Sequence, residues 1–119
     1  LPLPQTYKRI NVEAQKDDRY SMLTFYRRLI ELRQQEPALN IGDYAPVLTS
    51  GPLLGYTRKH QDTTYLVLLN LSHKPCVFRP QHHTYKGVIV FATDPEREGT
   101  QVEGNTSLSG DEGILIKLD

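Results

Sequence analysis

The stretch SMLTFYRRLIELRQQEPAL, residues 21–39, has the residue pattern of an amphipathic helix. Its polar side chains recur at spacings of three, four and one, which keeps them on one continuous stripe of a helix. They are Thr24, Arg27, Arg28, Glu31, Gln34 and Gln35. The other side is apolar and is formed by Met22, Phe25, Tyr26, Leu29, Ile30 and Leu32. Because Pro37 disfavours the helical conformation for Glu36, we predict one helix over about residues 19–36.

After residue 40 the pattern becomes that of strands. The run TTYLVLLNLS, residues 63–72, is apolar without interruption from Tyr65 to Leu69, which is typical of a strand buried on both faces. Further short runs are separated by turn residues, and they are DYAPVLTS, LLGYTR, CVFRP, YKGVIVFAT and GILIKL. The polar segment DPEREGTQVEGNTS, residues 94–107, is predicted to be a surface loop. We therefore predict a mainly β fold, a small antiparallel β-sandwich of Greek-key-like type, preceded by one amphipathic helix.

Composition restricts the classes of partner. A chain of 119 residues fits one domain, and its fourteen basic residues balance fourteen acidic ones. This balance gives no positive field for nucleic acid or an anionic membrane, and no apolar run approaches the roughly 20 residues of a membrane helix. The opening LPLPQTYK has neither the basic nor the apolar region of a signal peptide. We expect no nucleic-acid and no membrane partner.

Two groups of side chains could carry chemistry. His82 and His83 are adjacent, so in an extended segment they point to opposite sides, and we predict a solvated turn and not a metal site. Four carboxylates lie on the polar segment, whereas acid–base or glycosidic chemistry needs two held in a cleft at a defined separation. We predict a solvated surface for these four, which are Asp94, Glu96, Glu98 and Glu103.

The remaining candidates also have simpler structural interpretations. Ser50, Ser72, Ser107 and Ser109 lie near turns and outside any G-x-S-x-G motif. Cys76 is the single cysteine, which excludes an intrachain disulfide, and we expect it to pack as a small hydrophobe. Two N-glycosylation sequons begin at Asn70 and Asn105. Four tyrosines could stack on sugar rings or lie half-buried in the sheet, and they are Tyr44, Tyr56, Tyr65 and Tyr85. We predict no catalytic residue, no cofactor-binding residue and no metal ligand.

The order of the segments resembles the C-terminal portion of the α-amylase family of glycoside hydrolases (family 13), and most of all its α-glucosidase and oligo-1,6-glucosidase branch. The helix is similar to the branch pattern S-x-L-x-x-Y-R-R-L-I-x-L-R, which starts here at Ser21 and ends at Arg33. The P-A-L of residues 37–39 and the G-x-Y of residues 42–44 match as well. In the lead-in the matching positions are Leu3, Pro4, Tyr7, Ile10, Asn11 and Val12.

The resemblance implies a division of the chain. Residues 1–39 would be a lead-in and the last helix of the catalytic (β/α)8 barrel, and residues 40–119 the C-terminal β-sandwich domain. The helix would contact the barrel of the same parent chain. The parent reaction would be retaining hydrolysis of α-glucosidic bonds in oligosaccharides, with catalytic carboxylates from upstream barrel strands. The residues expected to contact the barrel are Met22, Phe25, Tyr26, Leu29 and Ile30.

Two other roles stay open. A free-standing carbohydrate-binding module would present an exposed aromatic platform to an oligosaccharide. A protein-docking domain, as in the heavy subunits of amino-acid transporters that share this barrel and β domain, would bind a partner chain. As an isolated piece, the chain could dimerise through the apolar side of the helix or fold the helix onto its own sheet. The lack of disulfides favours the cytoplasm and the sequons favour a glycosylating compartment.

Overall fold

The computed structural model describes residues 22–119, so the lead-in and the predicted start of the helix lie outside the described residues. Helix α1 spans Met22–Arg33 and a second short helix, α2, spans Pro37–Asn40. Glu36 is extended, with φ −110° and ψ 108°, as the proline after it requires. The prediction that α1 continues to residue 36 is wrong, because the chain leaves the helix after Arg33. Pro37 does not simply end a helix but begins α2, since its fixed φ suits a first helical position.

Eight strands follow α2. Six form one antiparallel sheet in the order β1-β2-β3-β8-β5-β6, and two form a small second sheet, β4-β7. The predicted mainly β fold with a helix before the strands is confirmed. The strands are β1 (Asp43–Pro46), β2 (Leu53–His60), β3 (Thr63–Asn70), β4 (Cys76–Phe78), β5 (Lys86–Ala92), β6 (Gln101–Glu103), β7 (Thr106–Leu108) and β8 (Gly113–Leu118).

The six-stranded sheet carries a hydrophobic core on each face. Strand β3 is buried from Tyr65 to Asn70, and alternate residues go to opposite faces, which confirms the predicted strand buried on both sides. The helix-side core lies against α1 and α2. It consists of Met22, Phe25, Leu29, Ala38, Leu39, Tyr65, Val67, Leu69, Phe91 and Leu115. The second core lies on the other face, with β4 and β7, and consists of Leu53, Leu66, Leu68, Phe78, Ile89, Ala92, Leu108, Ile114 and Ile116.

A β-bulge in β5 decides which face Phe91 joins. Ile89 pairs with Ile116 and Phe91 pairs with Leu115, so Val90 is an extra residue in the ladder. Simple alternation would place Phe91 on the same face as Ile89, in the second core. The bulge instead turns Phe91 toward α1, where its ring stacks on Phe25 with 5.3 Å between centroids.

The polar segment 94–107 is more ordered than a surface loop, which corrects the sequence prediction. It contains a 3-10 helix at Pro95–Arg97, strand β6 and the start of strand β7. The two strands are short and polar, and they form because β5 and β4 supply antiparallel partners for their backbone. Pairing partners far away in sequence leave no local pattern, so the composition alone indicated a loop.

Gly113 at the start of β8 makes room for the helix. A Cβ atom built on this residue would lie 2.8 Å from two carbons of the Phe25 ring and 2.9 Å from Leu69 Cδ2. Such separations are well inside van der Waals contact between carbon atoms, which is about 3.5–4.0 Å. The closest approach of α1 to the sheet therefore depends on a residue without a side chain.

Replacing Gly113 with alanine tests this junction. We expect Gly113→Ala to lower the free energy of unfolding by about 1–3 kcal/mol, because the added methyl group overpacks the contact with Phe25. Urea denaturation followed by circular dichroism measures the change. In a protein that already carries Phe25→Leu, Gly113→Ala should lower the free energy of unfolding by a smaller amount. An equal decrease with and without Phe25→Leu would show that the added methyl group does not clash with the Phe25 ring.

Candidate functional site

The inner side of α1 packs on this chain's own sheet. Met22, Phe25 and Leu29 are 8%, 1% and 5% exposed, and all three belong to the helix-side core. The expectation that these three side chains contact a barrel is therefore wrong, because the sheet already covers them. Of the five residues predicted for that contact, Tyr26 is half-buried at the edge of this core and Ile30 is 55% exposed.

Arg28 secures α1 to the sheet from the side. Its guanidinium lies 4.1 Å from the centroid of the Phe91 ring, in a cation–π contact. Its Nη2 atom is also 3.7 Å from Glu98 Oε2, and the same Glu98 oxygen accepts a hydrogen bond from the amide of Ala92 at 3.3 Å. The helix, strand β5 and the 3-10 segment are thus joined at one point.

A second apolar strip runs along the outer side of α1. Leu23, Tyr26 and Ile30 follow one another at spacings of three and four, so they lie in one row along the helix. Leu23 was missed in the sequence analysis, where the apolar side was treated as one wide face. We call these three residues the outer strip. It lies beside the row formed by Met22, Phe25 and Leu29, and Tyr26 also packs against the edge of the helix-side core.

The adjacent histidines lie on the opposite face of the sheet from α1. His82 and His83 are exposed in the segment before β5, as predicted for a solvated turn. They line an open groove of about 680 Å³ that Lys59 and Leu48 also line. Within residues 22–119, no three His, Cys, Asp or Glu side chains come together as a metal site would require.

The four carboxylates predicted to be a solvated surface do not form a pair. Asp94 accepts a hydrogen bond from the amide of Glu96 at 3.0 Å and so caps the 3-10 helix, and Glu98 contacts Arg28. Glu96 and Glu103 are exposed. Each side chain thus acts separately, two of them in local structure and two in solvent.

Glu112 is a buried carboxylate that the sequence analysis missed. It is 4% exposed, and its Oε1 atom lies 2.9 Å from Arg97 Nη1 and accepts a hydrogen bond from the amide of Ser109 at 2.8 Å. Arg97 also donates to the carbonyl of Ser107 at 2.8 Å. The charge is neutralised by a partner fifteen residues away, which no short motif could indicate. This pair anchors the 3-10 segment to the turn after β7.

The two sequon asparagines are in opposite environments. Asn70 is fully buried, and its Nδ2 donates to the carbonyls of Lys74 at 2.8 Å and Ser109 at 2.9 Å. Its Oδ1 accepts from the amide and the hydroxyl of Ser72. Asn105 is exposed. A glycan on Asn70 would replace one of the two Nδ2 hydrogens that these bonds use, and the side chain is 0% exposed, so the folded chain has only Asn105 available as an acceptor of these two.

Alanine at each asparagine provides a matched pair of tests. We expect Asn70→Ala to lower the free energy of unfolding by about 1–3 kcal/mol, because it leaves buried backbone groups unsatisfied. We expect Asn105→Ala to change it by less than about 0.5 kcal/mol, as for an exposed side chain. Thermal or urea unfolding of both variants measures the two free-energy changes. Equal changes would contradict the structural role of Asn70.

The tyrosines are divided between core and surface. Tyr65 is 6% exposed, and Tyr85 is half-buried with its ring 5.9 Å from that of Phe78. Tyr44 and Tyr56 lie side by side, with ring centroids 5.2 Å apart. A platform of all four tyrosines is therefore absent, and one pair remains on the α1 face of the sheet.

Ser72 and Cys76, two of the hydroxyl and thiol side chains considered above, have structural roles. The Ser72 hydroxyl contacts Asn70 Oδ1 at 2.8 Å and the carbonyl of Lys74 at 3.0 Å. Cys76 is half-buried and packs against the second core, as expected for a small hydrophobe. In the described part of the chain, no helix is long and apolar enough to cross a membrane.

His73 and Asp111 form an exposed link between two turns. His73 Nδ1 lies 2.7 Å from Asp111 Oδ2, and the amide of Asp111 donates to the carbonyl of Ser72 at 2.7 Å. The hydrogen bond to Asp111 and its charge raise the pKa of His73 above the ordinary value of 6.5. Because the pKa of His73 is raised in the folded state, the link to Asp111 stabilises the fold most at low pH. This stabilisation is complete below the ordinary pKa of 6.5 and is lost as the pH rises through the folded-state pKa.

The substitution Asp111→Asn should therefore lower the pKa of His73. Asparagine tolerates the positive φ of 56° at this position, so the turn is retained. NMR titration of the His73 ring protons gives the pKa, and the effect on stability should be small because both groups face solvent. An unchanged pKa in the variant would show that Asp111 does not hold the imidazolium.

Similar proteins are found both by sequence and by structure. The oligo-1,6-glucosidase of Parageobacillus thermoglucosidasius is 38% identical over 88 residues, a match that covers 72% of this chain and 16% of that enzyme. The amino acid transporter heavy chain SLC3A2 of Rattus norvegicus is 32% identical over a 123-residue alignment, which covers 92% of this chain and 23% of the relative. The crystal structure of isomaltulose synthase (PalI) from Klebsiella sp. LX3 superposes with a TM-score of 0.72 and 25% identity, over 100% of this chain and 21% of that one. No family model matches the chain.

The chain belongs to the α-amylase family, glycoside hydrolase family 13. It corresponds to the C-terminal part of family members and spans only 16% to 23% of the length of the three relatives above. Homologous full-length family 13 enzymes carry this domain attached to a catalytic barrel. The division into barrel residues 1–39 and β-domain residues 40–119 stays a prediction.

Proposed function

We propose that this chain is the non-catalytic C-terminal domain of an α-glucosidase-like hydrolase of family 13, and that it supports the catalytic barrel. The hydrolysis of α-glucosidic bonds would be carried out by carboxylates elsewhere in the parent protein. The acidic side chains of the described part are consistent with this role. Within residues 22–119 the one buried carboxylate is Glu112, and Arg97 neutralises it.

The observation that carries the proposal is the outer strip on α1. A helix with apolar residues on one side is typical of a protein surface, whereas a helix with apolar residues on two sides is typical of an interior position. The inner row of α1 is covered by the sheet, and Ile30 in the outer strip is 55% exposed. We infer that the outer strip is the surface on which the barrel packs, with Leu23, Tyr26 and Ile30 as contacts.

The substitution Ile30→Asp tests this docking. In the full-length protein it would bury a charge against the barrel, so we expect a loss of about 2 kcal/mol or more in the free energy of unfolding. In the isolated 119-residue chain the same substitution should have little effect, because Ile30 is exposed there. Differential scanning calorimetry of both proteins gives the comparison.

The matched control is Leu48→Asp. Leu48 is 60% exposed and lines the groove on the opposite face of the sheet. We expect it to change the stability of the full-length protein by less than about 0.5 kcal/mol. If Ile30→Asp proves as harmless as Leu48→Asp in the full-length protein, then no barrel covers the outer strip and the proposal is wrong.

A second function follows from the 32% identity to an amino acid transporter heavy chain. The chain would then be a domain that supports docking in a protein without hydrolase activity. Both functions require the outer strip to be covered, so the stability tests do not separate them. An α-glucosidase assay of the full-length protein does, because glucose release from maltose or isomaltose is expected only of the hydrolase. A carbohydrate-binding module has less support, because only Tyr44 and Tyr56 lie side by side.

A further inference from the structure

A small pocket lies between the end of α1, the edge strand β1 and its neighbour β2. Its volume is about 150 Å³, and we call it the arginine–tyrosine pocket. It combines two buried apolar side chains with two tyrosines and two arginines. The lining residues are Leu29, Arg33, Leu39, Tyr44, Tyr56 and Arg58.

The sheet register holds three of these side chains on one face. Tyr44 on β1 pairs directly with Arg58 on β2, and Tyr56 precedes Arg58 by two residues on the same strand. Residues that pair directly, or that are two apart on a strand, point to the same face of the sheet. This face is the one that carries α1, so Arg33 from the last turn of the helix completes the pocket.

The guanidinium groups of Arg33 and Arg58 form no ion pair with an acidic residue in the described range 22–119. The ion pairs of the described residues join Arg28 to Glu98, His73 to Asp111 and Arg97 to Glu112, and they include neither Arg33 nor Arg58.

Arg58 is also short of hydrogen bonds. Its Nη2 donates to the carbonyl of Asn40 at 3.1 Å, while its Nε is buried and has no hydrogen-bond partner among residues 22–119. A buried donor without an acceptor is unfavourable, so the Arg58 side chain is not held by a complete set of hydrogen bonds.

The two arginine charges act on the Tyr56 hydroxyl. Burial raises the pKa of Tyr56, and the charges of Arg33 and Arg58 act in the opposite direction. Both guanidinium groups are therefore close enough to the Tyr56 hydroxyl to affect its ionisation. Guanidinium groups bind carboxylate and phosphate oxygens in a two-point geometry, and a phenol adds one further donor.

We propose that the arginine–tyrosine pocket binds one small oxyanion, a carboxylate or a phosphate group, through Arg33, Arg58 and the hydroxyl of Tyr56. The volume of about 150 Å³ limits the occupant to a single anionic group. The group can be a free ion or can come from an acidic side chain elsewhere in a longer protein, since both present the same oxygens. This site does not depend on the proposed function.

NMR titration of the 119-residue chain with inorganic phosphate, and separately with acetate, tests the site. Chloride keeps the ionic strength constant, and the signals followed are the Nε–H groups of Arg33 and Arg58 and the ring of Tyr56. We expect saturable shifts with a Kd on the order of millimolar. Arg58→Gln and Arg33→Gln should each weaken binding by roughly tenfold, because each removes one charged donor pair. The backbone amide spectrum of each variant confirms folding, and Arg33, which is exposed, provides a variant that retains the fold.

The matched control is Arg27→Gln, which removes an exposed arginine of the same helix outside the pocket. It should leave the Kd unchanged. Shifts that do not saturate, or binding that Arg27→Gln weakens as much as Arg58→Gln, would mean general charge attraction and would overturn the proposal.

The same titration in the full-length protein identifies the source of the anion. Phosphate binding retained there means that a free anion occupies the pocket. Loss of phosphate binding, together with a stability decrease from Arg58→Gln that the isolated chain does not show, means that a protein carboxylate occupies it. A full-length protein that neither binds phosphate nor is destabilised by Arg58→Gln would contradict the site.

Discussion

The contact of Phe25 with the sheet is the constraint on which the rest of the structure depends. The ring needs a residue without a side chain at Gly113 and a stacking partner at Phe91. Phe91 reaches that position only because of the bulge at Val90. The bulge, the glycine and the aromatic pair together fix α1 against the sheet and leave Ile30 on its outer side exposed.

This docking changes how the helix is interpreted. The sequence predicts one wide apolar face for a barrel, but the structure divides the apolar residues of α1 into two rows that differ in burial. The inner row stabilises this chain's own core, whereas Ile30 in the outer strip is exposed. A helix with apolar residues on two sides is typical of a position between two structural units, and homologous full-length enzymes carry this domain attached to a barrel.

The buried polar groups support structure and not chemistry. Asn70 satisfies the backbone of two turns, and Glu112 forms an ion pair with Arg97 that holds the 3-10 segment in place. Asn70 thereby links the end of β3 to turns beside β4 and β7, and Glu112 links the 3-10 segment to the turn after β7. Arg58 differs, because within residues 22–119 its buried Nε has no acceptor.

The sequence by itself determined the type of fold, because helical and strand periodicity are local properties. The helix and the fully buried strand β3 followed from their patterns, and the family resemblance followed from the order of segments. Only the tertiary structure decided which side of α1 meets the sheet, that Phe91 departs from alternation, and that the polar segment contains β6 and β7. It also brought Arg33 next to Arg58 and Arg97 next to Glu112. These features depend on partners far apart along the chain, and a local pattern carries no information about a distant partner.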